Sequence, residues 1–190
     1  ELTLTGDYAK IEQLCQRFFV SRKTITSDLK QTERILEMFE LKLERVPRHG
    51  IRVQGGELNC RQCLVFLLRH SGSHLYRELS RSFMPEKQAV EILAEGLHAG
   101  HYEVYDDELS ELVLQFRLGL YRYQKNCPVS LGEFDDQDFL QEKDIAAAEK
   151  CAEVLKKSLG ICLPVTEIKY LAVQFSGKRG LYGDRKENIV

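Results

Sequence analysis

Five side chains in one short stretch have the types and spacing to do chemistry: Arg22, Lys23, Thr26, Ser27 and Lys30. On a helix they share the side opposite Ile25 and Leu29, which lie four apart and face a core. Cations and hydroxyls on one exposed face suit contacts to DNA phosphates and groove edges. Ser21 stands where a side-chain oxygen caps the first turn, with Thr24 inside that turn. Arg48 and Arg52 lie further on, in a second basic stretch. The candidate DNA-contacting residues are therefore Ser21, Arg22, Lys23, Thr24, Thr26, Ser27, Lys30, Arg48 and Arg52.

Other groupings carry less. Cys60 and Cys63 form a Cys-x-x-Cys pair, and His70, His74, His98 and His101 follow. A zinc site can be drawn from them, but Cys60 starts an apolar helical run in which small thiols are ordinary core. A redox role would call for a βαβ context, and none is evident. No metal or cofactor is expected. The acidic cluster Glu133, Asp135, Asp136 and Asp138 reads as a solvated loop. No Gly-rich phosphate loop, Gly-x-Ser-x-Gly or His-Glu-x-x-His string occurs, so the chain does not read as an enzyme.

The elements that must position the basic face can be read from periodicity. Residues 7–18 predict a first helix with Ile11 and Leu14 inward, and Phe19-Val20 a tight connection. Residues 21–30 predict the second helix of a helix-turn-helix, and residues 32–39 continue helically. Residues 41–46 and 51–53 alternate like strands about a turn at 47–50. Together they predict a winged helix with a basic-tipped hairpin.

Further helices are predicted over 57–69 and 74–83, and after Pro85 up to Gly100. Pro85 is expected in the first turn. Later helices are predicted over about 106–125, 144–159 and 163–177. Ile145, Ala148, Ala152 and Leu155 are the expected inward positions of the second of these. The fold class is mainly α. The expected divisions are 1–56 for the winged helix-turn-helix, 57–104 for a helical connector, 105–178 for a helical bundle and 179–190 for a polar tail.

The 190 residues are 43% hydrophobic, enough for a sizeable core. Net charge is −2, but residues 1–70 hold 12 Lys and Arg against 9 Asp and Glu, while the remainder is acidic. That asymmetry suits nucleic acid at one end. No apolar run approaches the roughly 20 residues of a membrane span, and a cytoplasmic location is expected. The opening at Glu1 reads as a piece of a longer chain. The cysteines at 15, 60, 63, 127, 151 and 162 are expected to be free thiols.

Two parts resemble known families. Gly50-Ile51-Arg52-Val53-Gln54-Gly55-Gly56-Glu57, followed by Arg61, looks like the wing and exit of the Mga-like winged helix. That module occurs in bacterial phosphotransferase-linked regulators related to the BglG antiterminators. The second domain resembles the PTS regulation domain (PRD), an all-helical bundle. Arg122 matches the arginine near the end of its first long helix. Pro164, Glu167, Tyr170 and Leu171 match its Pro-x-x-Glu-x-x-Tyr-Leu string.

The resemblance implies a DNA-binding transcriptional regulator of sugar metabolism. It also implies a homodimer through the PRD, with the apolar helix over 109–120 as part of the interface. Phosphotransferase phosphocarriers are implied partners, acting through segments outside this chain. In such domains histidines are phosphorylated. Here the corresponding positions are Gln115, seven before Arg122, and Gln174, and no histidine follows His101. A glutamine amide nitrogen is conjugated with its carbonyl and is not a nucleophile comparable to imidazole, although it still hydrogen-bonds. The expectation is a PRD acting in dimerisation and structural coupling. The competing reading is an interaction module with an ancillary winged helix that does not read DNA.

Overall fold

The computed structural model describes residues 7–70, 81, 83–134 and 139–177. The chain divides into two compact units, Glu1–Gly72 and Ser73–Val190. The expected helix over 74–83 falls almost wholly outside the described residues. So do His74, Asp135, Asp136, Asp138 and the tail.

The first unit holds α1 (Ile11–Phe18), α2 (Arg22–Glu37), β1 (Lys42–Val46), β2 (Gly50–Gln54) and α3 (Glu57–His70). Helix α1 starts later than its periodicity suggested. Ala9 is instead bridged to Ile51, with Ala9 N–H donating to Ile51 O at 2.8 Å and Ile51 N–H to Ala9 O at 2.9 Å. Gly50 permits this approach: at φ 113° its missing Cβ would sit 2.4 Å from Ala9 O. The hairpin is antiparallel and pairs Glu44 with Arg52 and Leu43 with Val53.

Leu14, Ile25, Leu29 and Ile51 form one core cluster under the helix-turn-helix. Leu36, Leu41, Val53, Cys60 and Cys63 form another, which brings α3 into this unit. Residues 57–104, expected to be a single connector, are thus divided between the units. Cys60, Cys63 and Leu67 of α3 have their partners in the wing and the end of α2.

The second unit holds α4 (Glu86–Ala99), α5 (Asp106–Gln124), a 3-10 turn (Leu131–Phe134), α6 (Glu142–Leu159) and α7 (Val165–Ser176). One core joins all four α-helices, with Leu93, Leu112, Phe116, Ala147, Leu155 and Phe175 among its buried members. Pro85 is the N-cap of α4 and lies just outside the first turn in which it was expected. Its extended backbone, at ψ 137°, sets the helix entry. Gly96 marks a close helix approach: a Cβ there would lie 2.4 Å from Cys151 Sγ and 2.8 Å from Ala147 O.

Two expectations about faces are corrected. Ile145 is 42% exposed, while Ala147 and Ala148 are fully buried. The inward stripe of α6 is Asp144, Ala147, Ala148, Cys151 and Leu155, and Ile145 follows the buried Asp144 by one residue, about 100° around the helix. The helix over 109–120 is not an unpartnered dimer face either. Leu112, Val113, Leu114, Phe116, Leu118 and Leu120 are at most 7% exposed in the single chain. Four of them, Leu112, Val113, Phe116 and Leu120, belong to the unit's own core.

Candidate nucleic-acid interface

The helix-turn-helix is built by local signals. Helix α1 ends on Phe19, which adopts a left-handed conformation at φ 54°. Its neighbour Val20 returns a hydrogen bond to Cys15 O at 3.1 Å. Ser21 then caps α2: Thr24 N–H donates to its Oγ at 3.1 Å, and the two hydroxyls are 2.8 Å apart. Ser21 and Thr24 therefore serve first to start the helix. Ile25 and Leu29 are buried, and this fixes the rotation of α2.

Arg22, Lys23, Thr26, Ser27 and Lys30 are consequently brought together along an open groove of about 520 Å³. Thr26 Oγ1 donates to Arg22 O at 2.8 Å, which leaves its oxygen outward as an acceptor. Among the described residues, Lys23, Lys30 and Arg48 make no ion pair, and all three are exposed. Arg48 sits at the wing tip with φ 68°. This conformation is uncommon for a long side chain and is imposed by the tight 47–50 turn.

Two candidate cations are already engaged. Arg22 Nη1 lies 2.8 Å from Glu12 Oε1. Arg52 is half-buried on β2. Its Nε lies 2.5 Å from Glu44 Oε2, and its guanidinium carbon is 4.7 Å from the centroid of the Tyr8 ring. Tyr8 O–H donates to the same Glu44 oxygen at 2.9 Å. Arg52 thus braces the wing, and its geometry does not match the freely presented cation expected from sequence. The signal was available in part: in the hairpin register Glu44 faces Arg52, a favourable cross-strand pair. Tyr8 carried no such signal. Arg45, also bordering the wing, is paired with Glu33.

The hydrogen bond from Arg52 and then that from Tyr8 hold Glu44 below the ordinary carboxylate range. A carboxylate depressed on folding contributes stability above its unfolded pKa of about 4.3, lost as pH falls through the folded value. Carboxyl NMR titration should give Glu44 a midpoint below that of a free glutamate. In Arg52→Gln the midpoint should rise. An unshifted midpoint in the parent chain would remove the bracing role.

The other candidate residues lie in the second unit. Arg122 on α5 and Glu167 on α7 are 3% and 4% exposed. Val129 N–H donates to Glu167 Oε1 at 2.9 Å, tying the segment after α5 to α7. Gln115 and Gln174 are both half-buried. Gln115 Nε2 points to Glu111 at 3.4 Å, while its shielded Oε1 has no hydrogen-bond partner among the described residues. Sequence reasoning missed Arg117, which is 5% exposed and donates from Nε to Met84 O at 2.8 Å.

The Cys60–Cys63 pair behaves as core. Both thiols are free and buried, and burial pushes Cys63 up to about 11. The His70 ring stacks on Phe66 at 4.3 Å. No metal-binding group of histidine, cysteine and carboxylates occurs among the described residues. No described helix is long and apolar enough to cross a membrane.

Comparison with known proteins agrees with the two-unit division. Residues 1–68 match the family described as the Mga helix-turn-helix domain, and residues 89–178 match the PRD domain family. The chain is similar to the probable licABCH operon regulator of Bacillus subtilis (strain 168). That match is 22% identical over 183 residues and covers 94% of this chain and 28% of that protein. The chain is also similar to the transcriptional regulator ManR of the same organism, at 27% identity over 186 residues. This second match covers 96% of this chain and 29% of that protein. The chain therefore spans less than a third of the length of these relatives.

Proposed function

Since the chain joins a Mga helix-turn-helix domain to a PRD domain, we propose that it acts in transcriptional regulation of phosphotransferase-linked sugar operons. In this reading α2 reads DNA and the wing tip touches its backbone. The observation that carries the reading is the capped α2, whose buried Ile25 and Leu29 turn the unpaired Lys23 and Lys30 to one open groove. The relatives, both named as regulators, support a non-enzymatic role.

The PRD takes a structural part. Gln115 and Gln174 replace the phosphorylatable imidazoles that the family resemblance implies, so the dianionic charge that would remake an interface cannot form there. The domain stays in one unphosphorylated-like state and couples two copies, which sets two winged helices for paired half-sites. Exchange with phosphotransferase components belongs to other parts of the regulator. Phosphohistidine mapped to His98 or His101 after incubation with a phosphocarrier would overturn this assignment.

The direct test is selection of genomic DNA fragments on the chain, followed by titration of a selected duplex over a series of salt concentrations. Lys23→Ala/Lys30→Ala should weaken binding roughly tenfold or more and flatten the log–log salt slope by about 1.8, two phosphates' worth. Binding indifferent to both lysines would favour the second reading, a protein-interaction module. That reading draws on the engagement of Arg22 and Arg52 by carboxylates.

A further inference from the structure

Arg22 stands where two concavities of the first unit meet. The groove along α2 is one. The other, about 440 Å³, lies between the start of α1 and the wing and is bordered by Lys10, Arg45 and Arg48. Glu12 also borders it, and the other charged residues of its lining are basic. The Glu12 carboxylate meets Arg22 at 2.8 Å, and the two side chains are 62% and 71% exposed. Arg45 is held as well, but its partner Glu33 does not line this concavity. Glu12 is therefore the carboxylate standing in front of a cation of the proposed DNA face.

We propose that Glu12 is an internal competitor for DNA phosphate at Arg22 and so sets the affinity of the winged helix. The proposal rests on the DNA-reading role given above to the first unit. With Glu12 ionised, the pair adds no net charge to the face. A phosphate that approaches the guanidinium must either share its N–H donors with the Glu12 carboxylate, which holds Nη1, or displace it, and in both cases a carboxylate stays close to the phosphate. Because both partners are exposed, the pair is weak enough to open, since solvent and salt screen it. Arg22 thus contributes to binding only the difference between two anions. Lys23 and Lys30 make no ion pair among the described residues, although Glu33 lies within electrostatic reach of Lys30, and they contribute more fully.

The test is Glu12→Gln in the full 190-residue chain, titrated by fluorescence anisotropy against a selected duplex and one of unrelated sequence. Melting curves confirm that the variants fold. Glu12→Gln should bind both duplexes about two- to fivefold tighter and steepen the salt slope by up to about 0.9, one additional phosphate neutralised. In an Arg22→Ala background most of that gain should vanish. Wild-type binding with no gain in Glu12→Gln overturns the competitor role alone. So does a gain that survives in full without Arg22, which would mark a general charge effect. Well-folded chains that bind neither duplex would overturn the DNA-reading role, and the competitor with it.

Discussion

Arg61→Ala is expected to destabilise the first unit by about 3–5 kcal/mol, enough to unfold a marginal small domain. The Arg61 side chain is wholly buried, and its Nε lies 2.9 Å from Glu57 Oε1, one turn earlier on α3. Glu57 is itself only 11% exposed. Truncation would delete a buried cation, leave a shielded carboxylate without this partner and open a void on α3, the helix that also carries Cys60 and Cys63. Those two cysteines join α3 to Leu36, Leu41 and Val53. The damage would therefore reach the wing and the end of α2, and DNA binding would fall with the fold. Hydrogen exchange should show lost protection over 11–70 while 86–176 stays protected. Arg61→Met with Glu57→Gln should recover at least half of the loss, because an apolar side chain of similar volume removes the unpaired charge. Wild-type melting in Arg61→Ala would sink the argument that this arginine organises the unit.

Phe175→Ala should produce the mirror pattern. Phe175 is fully buried in the core of the second unit, with its ring stacked on Tyr102 at 5.6 Å between centroids. Its ring edge also reaches the narrow gap at Gly96, where helices α4 and α6 nearly touch. Removing an aromatic ring from so closed a site costs the transfer term and leaves a cavity, together about 3–5 kcal/mol. Helices packed this closely, with small residues between them, have little room to collapse into the space. Exchange protection should be lost across α4 to α7 and retained in the first unit. A loss confined to α7, with α4 and α6 still protected, would show that Phe175 is not shared among the helices as the packing indicates. If the PRD couples two copies, apparent affinity for paired half-sites should also fall while single half-site binding persists.

Much of the fold was legible because its signals are local. The Ser21 cap, the Ile25–Leu29 stripe, the alternating hairpin and the glycine after α6 each act within a few residues. Their preferences agree with the final structure. The acidic first turn of α5 and the Pro164 entry to α7 were readable for the same reason. Ile145 was misread because its apolar side chain has the same helical spacing to Ala148, Ala152 and Leu155, whereas the stripe that is buried runs through the polar Asp144, then Ala147, Ala148, Cys151 and Leu155. The helix over 109–120 was misread for a related reason: apolar content identifies a face to be buried without saying whether the cover is intrachain or a second copy.

The sequence by itself determined the mainly helical class, the winged helix-turn-helix and the resemblance to a PRD, which implies histidine at the positions of Gln115 and Gln174. The class and the elements follow from residue type and from periods of about two and 3.6 residues, which are properties of a short stretch of chain; the PRD resemblance rests on the Arg122 and Pro164–Leu171 motifs. Only the tertiary structure decided which cations of the basic face are free. Glu12 and Arg22 are ten residues apart and on different helices, and Tyr8 meets Glu44 across 36 residues. Electrostatic pairing depends on distance in space, and no local pattern encodes where the folded chain brings two charges within hydrogen-bond reach.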